Sequence, residues 1–284
     1  MVQYEKLTNK NFSQLEILVN EFLSLNKYKI NFIKYYLKSN LFKKSLLKNN
    51  LILILLDNEY IGYIWFDYND IDTILINAAY IKDQYVNIIK FNDIPKFNGK
   101  ILIYQTYEDS LTTKLLSSNL FVRSKITKLL EYNIKTKLNI NCNVKFRKFT
   151  KNKDEFLRCE IQNSIFNDDS RTPLKPKDIR YEEKQLYYNE NFCIFMLNSN
   201  NTEIGYGQII FNNNIYTIVN FGIVNNYRNK GYGECLLNYL INLAHDNNIS
   251  KIFIRVEEDN FKAINLYFKT GFKIVGNYTT WIKT

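Results

Sequence analysis

Histidine, proline and glycine are scarce in this sequence of 284 residues, which contains one His, three Pro and nine Gly. Collagen-like and linker-like proteins need far more glycine and proline, so the composition excludes both classes. Four cysteines, at 142, 159, 193 and 235, show no C-x-x-C spacing, and one histidine cannot complete a usual zinc set. We therefore expect four free thiols and no metal.

Long apolar runs and a leader pattern are also missing. The longest aliphatic run, Leu51–Leu56, has six residues, whereas a membrane-spanning helix needs about 20. Residues 1–6 have none of the three regions of a secretory signal peptide. We expect a cytoplasmic protein with no membrane partner.

Core-forming residues are plentiful. Hydrophobic residues make up 46% of the chain and aromatic residues 15%, including 22 Tyr and 20 Phe. This is enough apolar material for a packed core, so wholesale disorder is excluded. The length suits one large domain or two domains of about 140 residues.

The net charge of +10 raises the question of nucleic acid. Up to residue 143 there are 19 basic and 13 acidic residues (+6), and after it 19 and 15 (+4), so the excess is spread over the chain. The densest basic cluster, residues 38–48, is typical of a solvated helix face. A composition rich in Asn, Ile, Lys and Tyr, as AT-rich codons favour, explains the charge better than a nucleic-acid surface. Nucleic-acid binding by the basic N-terminal half stays open as a weaker alternative.

The two halves of the chain share one plan, which indicates a tandem duplication. Residues 2–8 align with 144–150 as half-buried strands, and a helix-like stretch follows each (12–25 and 155–166). Apolar hairpins and a later strand then match in the same order, at offsets of 142, 143 and 151 residues. The sequence predicts two domains, 1–142 and 143–284.

A glycine-containing turn in the second half is typical of an anion site. A strand over residues 216–224 is followed by Arg228, Gly231 and Gly233 in the pattern R-x-x-G-x-G, and then by a helix from Glu234. Backbone amides and the helix dipole at such a turn favour phosphate. A P-loop is excluded because Gly-Lys-Ser/Thr is absent, and a dinucleotide fingerprint is excluded because position 236 is Leu.

A second pattern, A-x-x-L-Y-x-x-x-G-F over residues 263–272, follows a strand at 252–256. The order and spacing of the two patterns resemble the GCN5-related N-acetyltransferase (GNAT) superfamily, over roughly residues 215–276. The layout of the halves resembles tandem members such as mycothiol synthase. The resemblance implies a mixed α/β fold of two tandem GNAT-like domains, each a mixed twisted sheet flanked by helices. It also implies acetyl transfer from acetyl-CoA to a primary amine of a small molecule or peptide.

The resemblance assigns roles to residues of the second half. Tyr267 matches the general acid. The usual position of the general base holds Arg255, so Glu257, two residues later on the same strand face, is the best carboxylate substitute. The alternative is that a water chain, or no strong base, serves to take the proton. Residues matching cofactor contacts lie on the strand, the phosphate loop and the turn before the last helix: Phe221, Gly222, Ile223, Arg228, Asn229, Lys230, Gly231, Tyr232, Gly233, Glu234 and Asn260.

The first half lacks these parts. There is no glycine where its phosphate loop would lie, between residues 81 and 98, and Asp109 and Leu116 stand opposite Asn260 and Tyr267. We expect this half not to bind acetyl-CoA. Because Arg255 replaces the base, a non-catalytic acyl-CoA-binding or regulatory protein is the alternative function. We also expect a two-residue hairpin turn at Gly276-Asn277.

Overall fold

A computed structural model describes residues 1–26, 28–167, 171–212 and 215–284. The chain divides into two compact units: unit 1 comprises residues 1–127 and 276–284, and unit 2 comprises residues 128–275. The repeat predicts a domain boundary between residues 142 and 143. In the structure, the chain passes from unit 1 to unit 2 between residues 127 and 128 and returns to unit 1 between residues 275 and 276. Two strands, described below, cause this difference.

The described residues form eight α-helices and twelve strands, as in a mixed α/β protein. The helices are α1 Phe12–Leu25, α2 Phe32–Leu37, α3 Leu41–Asn49, α4 Ser110–Ser118, α5 Glu155–Ile165, α6 Pro176–Glu182, α7 Tyr232–Asp246 and α8 Phe261–Thr270. The strands are β1 Val2–Lys6, β2 Leu51–Leu56, β3 Glu59–Tyr68, β4 Thr73–Ile81, β5 Ile101–Tyr107, β6 Val122–Asn133, β7 Lys145–Lys148, β8 Cys193–Leu197, β9 Glu203–Asn212, β10 Ile215–Ile223, β11 Lys251–Glu257 and β12 Lys273–Lys283.

The sheet of unit 1 has the order β1-β2-β3-β4-β5-β12. Its strands pair antiparallel except β4 and β5, which are parallel. In unit 2 the order is β6-β11-β10-β9-β8-β7, and the parallel pair is β10 and β11. In both units a parallel pair therefore continues into three antiparallel ladders, β4-β3-β2-β1 in unit 1 and β10-β9-β8-β7 in unit 2, as the duplication predicts.

The strands β6 and β12 are exchanged between the two repeats. Each follows the last helix of its repeat, α4 or α8, yet the end of β6 neighbours β11 of unit 2, and β12 pairs with β5 of unit 1, from Tyr278–Tyr107 to Lys283–Leu102. The predicted hairpin at Gly276-Asn277 is therefore wrong. Pairing with β5 satisfies the backbone of these residues in an extended form, so β12 runs on as one strand.

Local signals set the ends and the buried face of each helix beside the parallel pair of unit 2. In α7 the buried residues recur at helical spacing: Leu236, Leu237, Leu240, Ile241 and Ala244. Helix α8 begins at Asn260, whose Oδ1 accepts from the amide of Ala263 at 3.2 Å, and ends at Gly271 with φ +104°. Both helices pack on the core around Ile218 and Ile254.

Two of the four cysteines form a disulfide, so the expectation of four free thiols is wrong. Cys142 pairs with Cys235 in the first turn of α7, although they are 93 residues apart in sequence; Cys159 and Cys193 are free and buried. Sequence spacing did not reveal the pair because only the fold of unit 2 brings residue 142 to that helix.

Across the four described ranges, no helix combines the length and the apolar character that crossing a membrane requires. The same residues contain no group of three or more His, Cys, Asp and Glu side chains that could hold a metal ion.

Reduction of the disulfide should destabilise unit 2. The disulfide closes a loop of 93 residues and so restricts the unfolded chain. This restriction stabilises the folded protein by about 2–4 kcal/mol. We expect dithiothreitol to lower the urea midpoint of the wild type, followed by circular dichroism. The Cys142→Ser/Cys235→Ser variant should match the reduced wild type and not respond to dithiothreitol. If a maleimide reacted with Cys142 and Cys235 before reduction, that result would contradict the pairing.

Candidate functional site

The parallel pair of unit 2 opens into a splay. The ladder joins Thr217 to Phe253 and Ile218 to Ile254, and these two pairs are all that the described residues show. Beyond them β10 continues to Ile223 and β11 to Glu257. Backbone amides and carbonyls along this part of β10 can therefore pair with an extended ligand instead of with β11.

A bulge sits on β10 inside the splay. The pairing with β9 shifts between Val219 and Gly222, and Asn220 has a left-handed backbone, φ +52°. Gly222 is required here because a Cβ would overlap the side chain of Ile165 at the end of α5. Strained, bulged backbone of this kind re-aims backbone groups and is common next to functional sites.

The loop between β10 and α7 ends in a helix N-terminus suited to an anion. Asn229 (φ +61°) and Gly231 (φ +80°) are left-handed, and α7 begins at Tyr232 directly after them. The first amides of a helix have no acceptor within the helix, and the dipole adds positive potential there. Gly231 caps the helix without a side chain, so the amides of the first turn are not blocked by one.

The charged residues of the loop make specific contacts. Arg228 donates from Nε to the carbonyl of Ile223 at 2.8 Å and from Nη2 to the carbonyl of Ile165 at 2.6 Å. It thus ties the loop to the ends of β10 and α5. Lys230 donates to the carbonyl of Asn226 at 3.4 Å, and Glu234 forms an ion pair with Lys269 at 2.6 Å.

Tyr267 lies beside the splay in an aromatic cluster. It is 5% exposed, and its ring centroid lies 6.2 Å from that of Phe221 on β10 and 5.9 Å from that of Phe272. Desolvation by burial raises the pKa of Tyr267, because the charged phenolate loses water contacts. The hydroxyl therefore keeps its proton at neutral pH, as a proton donor must.

The other predicted residues lie at the far end of β11. Arg255 and Glu257 are both exposed, and their spacing of two places them on one face of the strand. Asn260 follows as the cap of α8. The structure thus brings Phe221 and Tyr267 into contact, and it leaves Glu257 at the solvent-facing end of the strand across the splay.

Two contributors were missed by sequence reasoning. Asn220 lies in the bulge. A polar Asn within an apolar strand could have indicated a bulge there, because Asn tolerates left-handed backbone. Ile165 covers Gly222 and accepts from Arg228 through its carbonyl. No local pattern marks Ile165, since it acts through a tertiary contact 57 residues away in sequence from Gly222.

Unit 1 has the same splay, but a side chain bridges it. Here β4 and β5 pair from Thr73–Ile101 to Ile76–Tyr104. The amide of Ala79, farther along β4, donates to the hydroxyl of Tyr104 at 3.2 Å, and Tyr104 is 1% exposed. At least one backbone amide of this splay is thus satisfied by a side chain of unit 1 itself.

The region of unit 1 that corresponds to the loop between β10 and α7 is packed with apolar side chains. Two short 3₁₀ turns, Asp83–Tyr85 and Phe91–Asp93, stand between β4 and β5 where unit 2 has α7. Their neighbourhood is fixed by Asn119, whose Oδ1 accepts from the amide of Phe91 at 2.7 Å. The buried side chains of this stretch are Val86, Ile89, Phe91, Ile94 and Phe97.

A buried lysine closes the end of β5 in unit 1. The Lys29 side chain is 1% exposed, and its ammonium contacts Asp109 at 2.7 Å and Thr112 at 2.9 Å. Asp109 also caps α4 by accepting from the amide of Thr112. Asp109 aligns with Asn260, so the position at which a cofactor contact is predicted in unit 2 holds an internal ion pair in unit 1.

Solved structures with this fold include GNAT proteins that match nearly the whole chain. A GCN5-related N-acetyltransferase from Sphaerobacter thermophilus has a TM-score of 0.72 at 10% identity, covering 99% of this chain and 95% of its own. A tandem GNAT protein from the clavulanic acid biosynthesis pathway scores 0.63 at 8% identity, covering 100% and 98%. A GNAT-family acetyltransferase from Colwellia psychrerythraea scores 0.65 at 8% identity, covering 99% and 98%.

No curated protein matches the sequence. Sequence identities near one in ten show a shared fold and no more. The fold class predicted from the sequence is therefore confirmed by structural similarity. Sequence agreement comes from residues 161–272, which match the model of the acetyltransferase (GNAT) family. The chain has the tandem GNAT fold, and its family match spans the segment that contains the splay, the loop before α7 and Tyr267.

Proposed function

We propose that unit 2 transfers an acetyl group from acetyl-CoA to a primary amine of a small molecule or peptide. One arrangement carries this proposal: an open strand pair, an anion-binding helix terminus at its end, and the buried Tyr267 beside it. The family match over residues 161–272 supports acetyl transfer as the chemistry.

The splay would hold the acyl donor by its amide-containing arm. The backbone of residues 221–223 offers donors and acceptors that β11 does not use, as an added strand would require; the Ile223 carbonyl already accepts from Arg228. The amides of residues 232–234 and the dipole of α7 would hold the pyrophosphate. Arg228 would act mainly by fixing the loop, since its Nε and Nη2 are engaged by two carbonyls.

The residues also fit the two proton movements of the reaction. A neutral amine forms a bond to the thioester carbon, and backbone amides of the bulge stabilise the resulting oxyanion. Glu257 accepts the proton that the attacking nitrogen loses. The carbon–sulfur bond then breaks, and Tyr267 gives its proton to the departing thiolate. Burial keeps Tyr267 protonated until this step.

A non-catalytic acyl-CoA-binding protein is the second candidate, because Arg255 stands at the usual base position. Coenzyme A release measured over a panel of amines separates the two candidates. Turnover on any amine supports the enzyme, whereas acetyl-CoA binding without turnover supports a binding protein.

Tyr267→Phe should lower kcat by about 100-fold, the effect of losing a general acid. Its affinity for acetyl-CoA, measured by calorimetry, should stay at the wild-type value because the aromatic ring remains. Phe268, which is exposed on the same helix, gives the control Phe268→Tyr with wild-type rates. An unchanged kcat in Tyr267→Phe would remove Tyr267 from the mechanism.

Glu257→Gln should lower kcat/KM by about 100-fold, since the amide cannot accept the proton. Glu258→Gln is the matched control: it neighbours Glu257, and its carboxylate lies 3.8 Å from Lys128. Equal kcat/KM values for the two variants would show that a group other than Glu257 takes the proton.

Gly231→Ala should weaken acetyl-CoA binding about tenfold by distorting the turn before α7. A Cβ at 231 meets nothing within 4 Å, so the effect comes from the left-handed backbone, which costs about 1 kcal/mol for a non-glycine residue. Gly99→Ala in unit 1 has the same open space and φ +67°. It should lose similar stability by thermal unfolding and keep full affinity. Equal affinity in both variants would contradict the placement of the pyrophosphate.

A further inference from the structure

The proposed reaction leaves the most basic part of the chain without a role. Residues 22–56 contain seven lysines and no aspartate or glutamate, so this stretch of 35 residues carries +7 of the net +10. Within it lie α2 and α3 of unit 1. The composition of this stretch by itself is typical of a solvated helix face. Whether that interpretation is sufficient depends on which side chains are exposed.

Large apolar side chains are exposed on the same two helices. Leu41 is 86% exposed, Phe42 75%, Leu37 62% and Leu46 48%. Single exposed apolar residues are ordinary, but four within ten residues form a patch that needs a partner. On α3 the three members share one side of the helix, opposite the buried Leu47.

Lysines stand beside this patch. Lys38 and Lys43 are exposed, and the Lys43 ammonium lies 4.6 Å from the centre of the Tyr35 ring. Lys44 and Lys48 are partly buried: Lys44 lies over Tyr36, and Lys48 donates to Asn9 at 2.7 Å. We call the apolar residues 37, 41, 42 and 46, together with Lys38 and Lys43, the α2–α3 surface.

We propose that the α2–α3 surface docks unit 1 onto an anionic lipid bilayer. An interfacial helix needs apolar side chains that enter the acyl boundary and basic side chains that reach anionic headgroups. The surface supplies both, and the absence of acidic residues from 22 to 56 removes repulsion from the headgroups. The expectation of no membrane partner was based on the absence of a membrane-spanning stretch from the sequence. Docking at the bilayer surface does not need such a stretch.

The chemistry of the surface favours lipid over the other anionic partners. Nucleic acid would use the lysines, but it offers no apolar phase for three leucines. The side chains also protrude from the helices, as 86% and 75% exposure show, and protruding apolar groups insert readily into a fluid interface. This role would give the unit whose splay is closed by Tyr104 a function independent of the acetyl transfer proposed for unit 2.

Vesicle sedimentation with the full chain tests the proposal. We expect binding to vesicles of phosphatidylcholine with phosphatidylglycerol, little binding to phosphatidylcholine alone, and a loss of binding as salt increases. Lys38→Gln/Lys43→Gln should weaken binding at least tenfold, because each lysine near an anionic surface contributes about fivefold. Leu41→Ser/Phe42→Ser should weaken vesicle binding to a similar extent, because it removes two of the apolar side chains that would enter the bilayer.

The control variant is Ile71→Ser/Leu186→Ser, which removes two side chains that are 85% and 99% exposed elsewhere, and it should bind like the wild type. Thermal unfolding checks that every variant is folded. Equal binding by Leu41→Ser/Phe42→Ser and wild type overturns the proposal. So does retention on RNA or DNA without vesicle binding, or a dimer that Leu41→Ser/Phe42→Ser converts to monomer. Loss of acetyl transfer in Tyr267→Phe leaves this result unaffected, so the two proposals fail separately.

Discussion

The unfinished hydrogen bonding between two parallel strands is the constraint on which the rest of this structure depends. Backbone groups inside a protein must find partners, and among the described residues the parallel ladder of β10 with β11 stops after Ile218 and Ile254. Unit 1 solves the same problem internally, with the Tyr104 hydroxyl on the amide of Ala79. Unit 2 has no such bridge among its described residues, so its open backbone suits an extended ligand.

Closure of unit 1 is thorough because three independent groups contribute to it. Tyr104 bridges the splay, an apolar stretch replaces the helix that would hold phosphate, and the Lys29–Asp109 ion pair fills the end of β5. A buried ion pair is rarely strongly stabilising, because desolvation opposes the attraction. The Lys29–Asp109 pair therefore fills this position without adding much stability. The α2–α3 surface proposed above would give the closed unit a role of its own.

Patterns within short stretches were sufficient for most of the elements beside the site. The predicted stretches 12–25 and 155–166 correspond to α1 and α5, and the predicted strands at 216–224 and 252–256 correspond to β10 and β11. These succeeded because amphipathic spacing and capping residues act over one or two turns. The predicted hairpin at Gly276-Asn277 failed because β5 provides a pairing partner that no local pattern reveals. The disulfide was missed for the same reason.

The sequence by itself determined that the chain contains a repeated plan, and that only the second repeat carries Gly231, Gly233 and Tyr267. These depend on residue type and local spacing, which a sequence shows directly. Tertiary structure decided the strand exchange of β6 and β12, the Cys142–Cys235 pair and the burial that raises the pKa of Tyr267. Each depends on which distant segments meet, and contacts across dozens of residues leave no periodic trace in the chain.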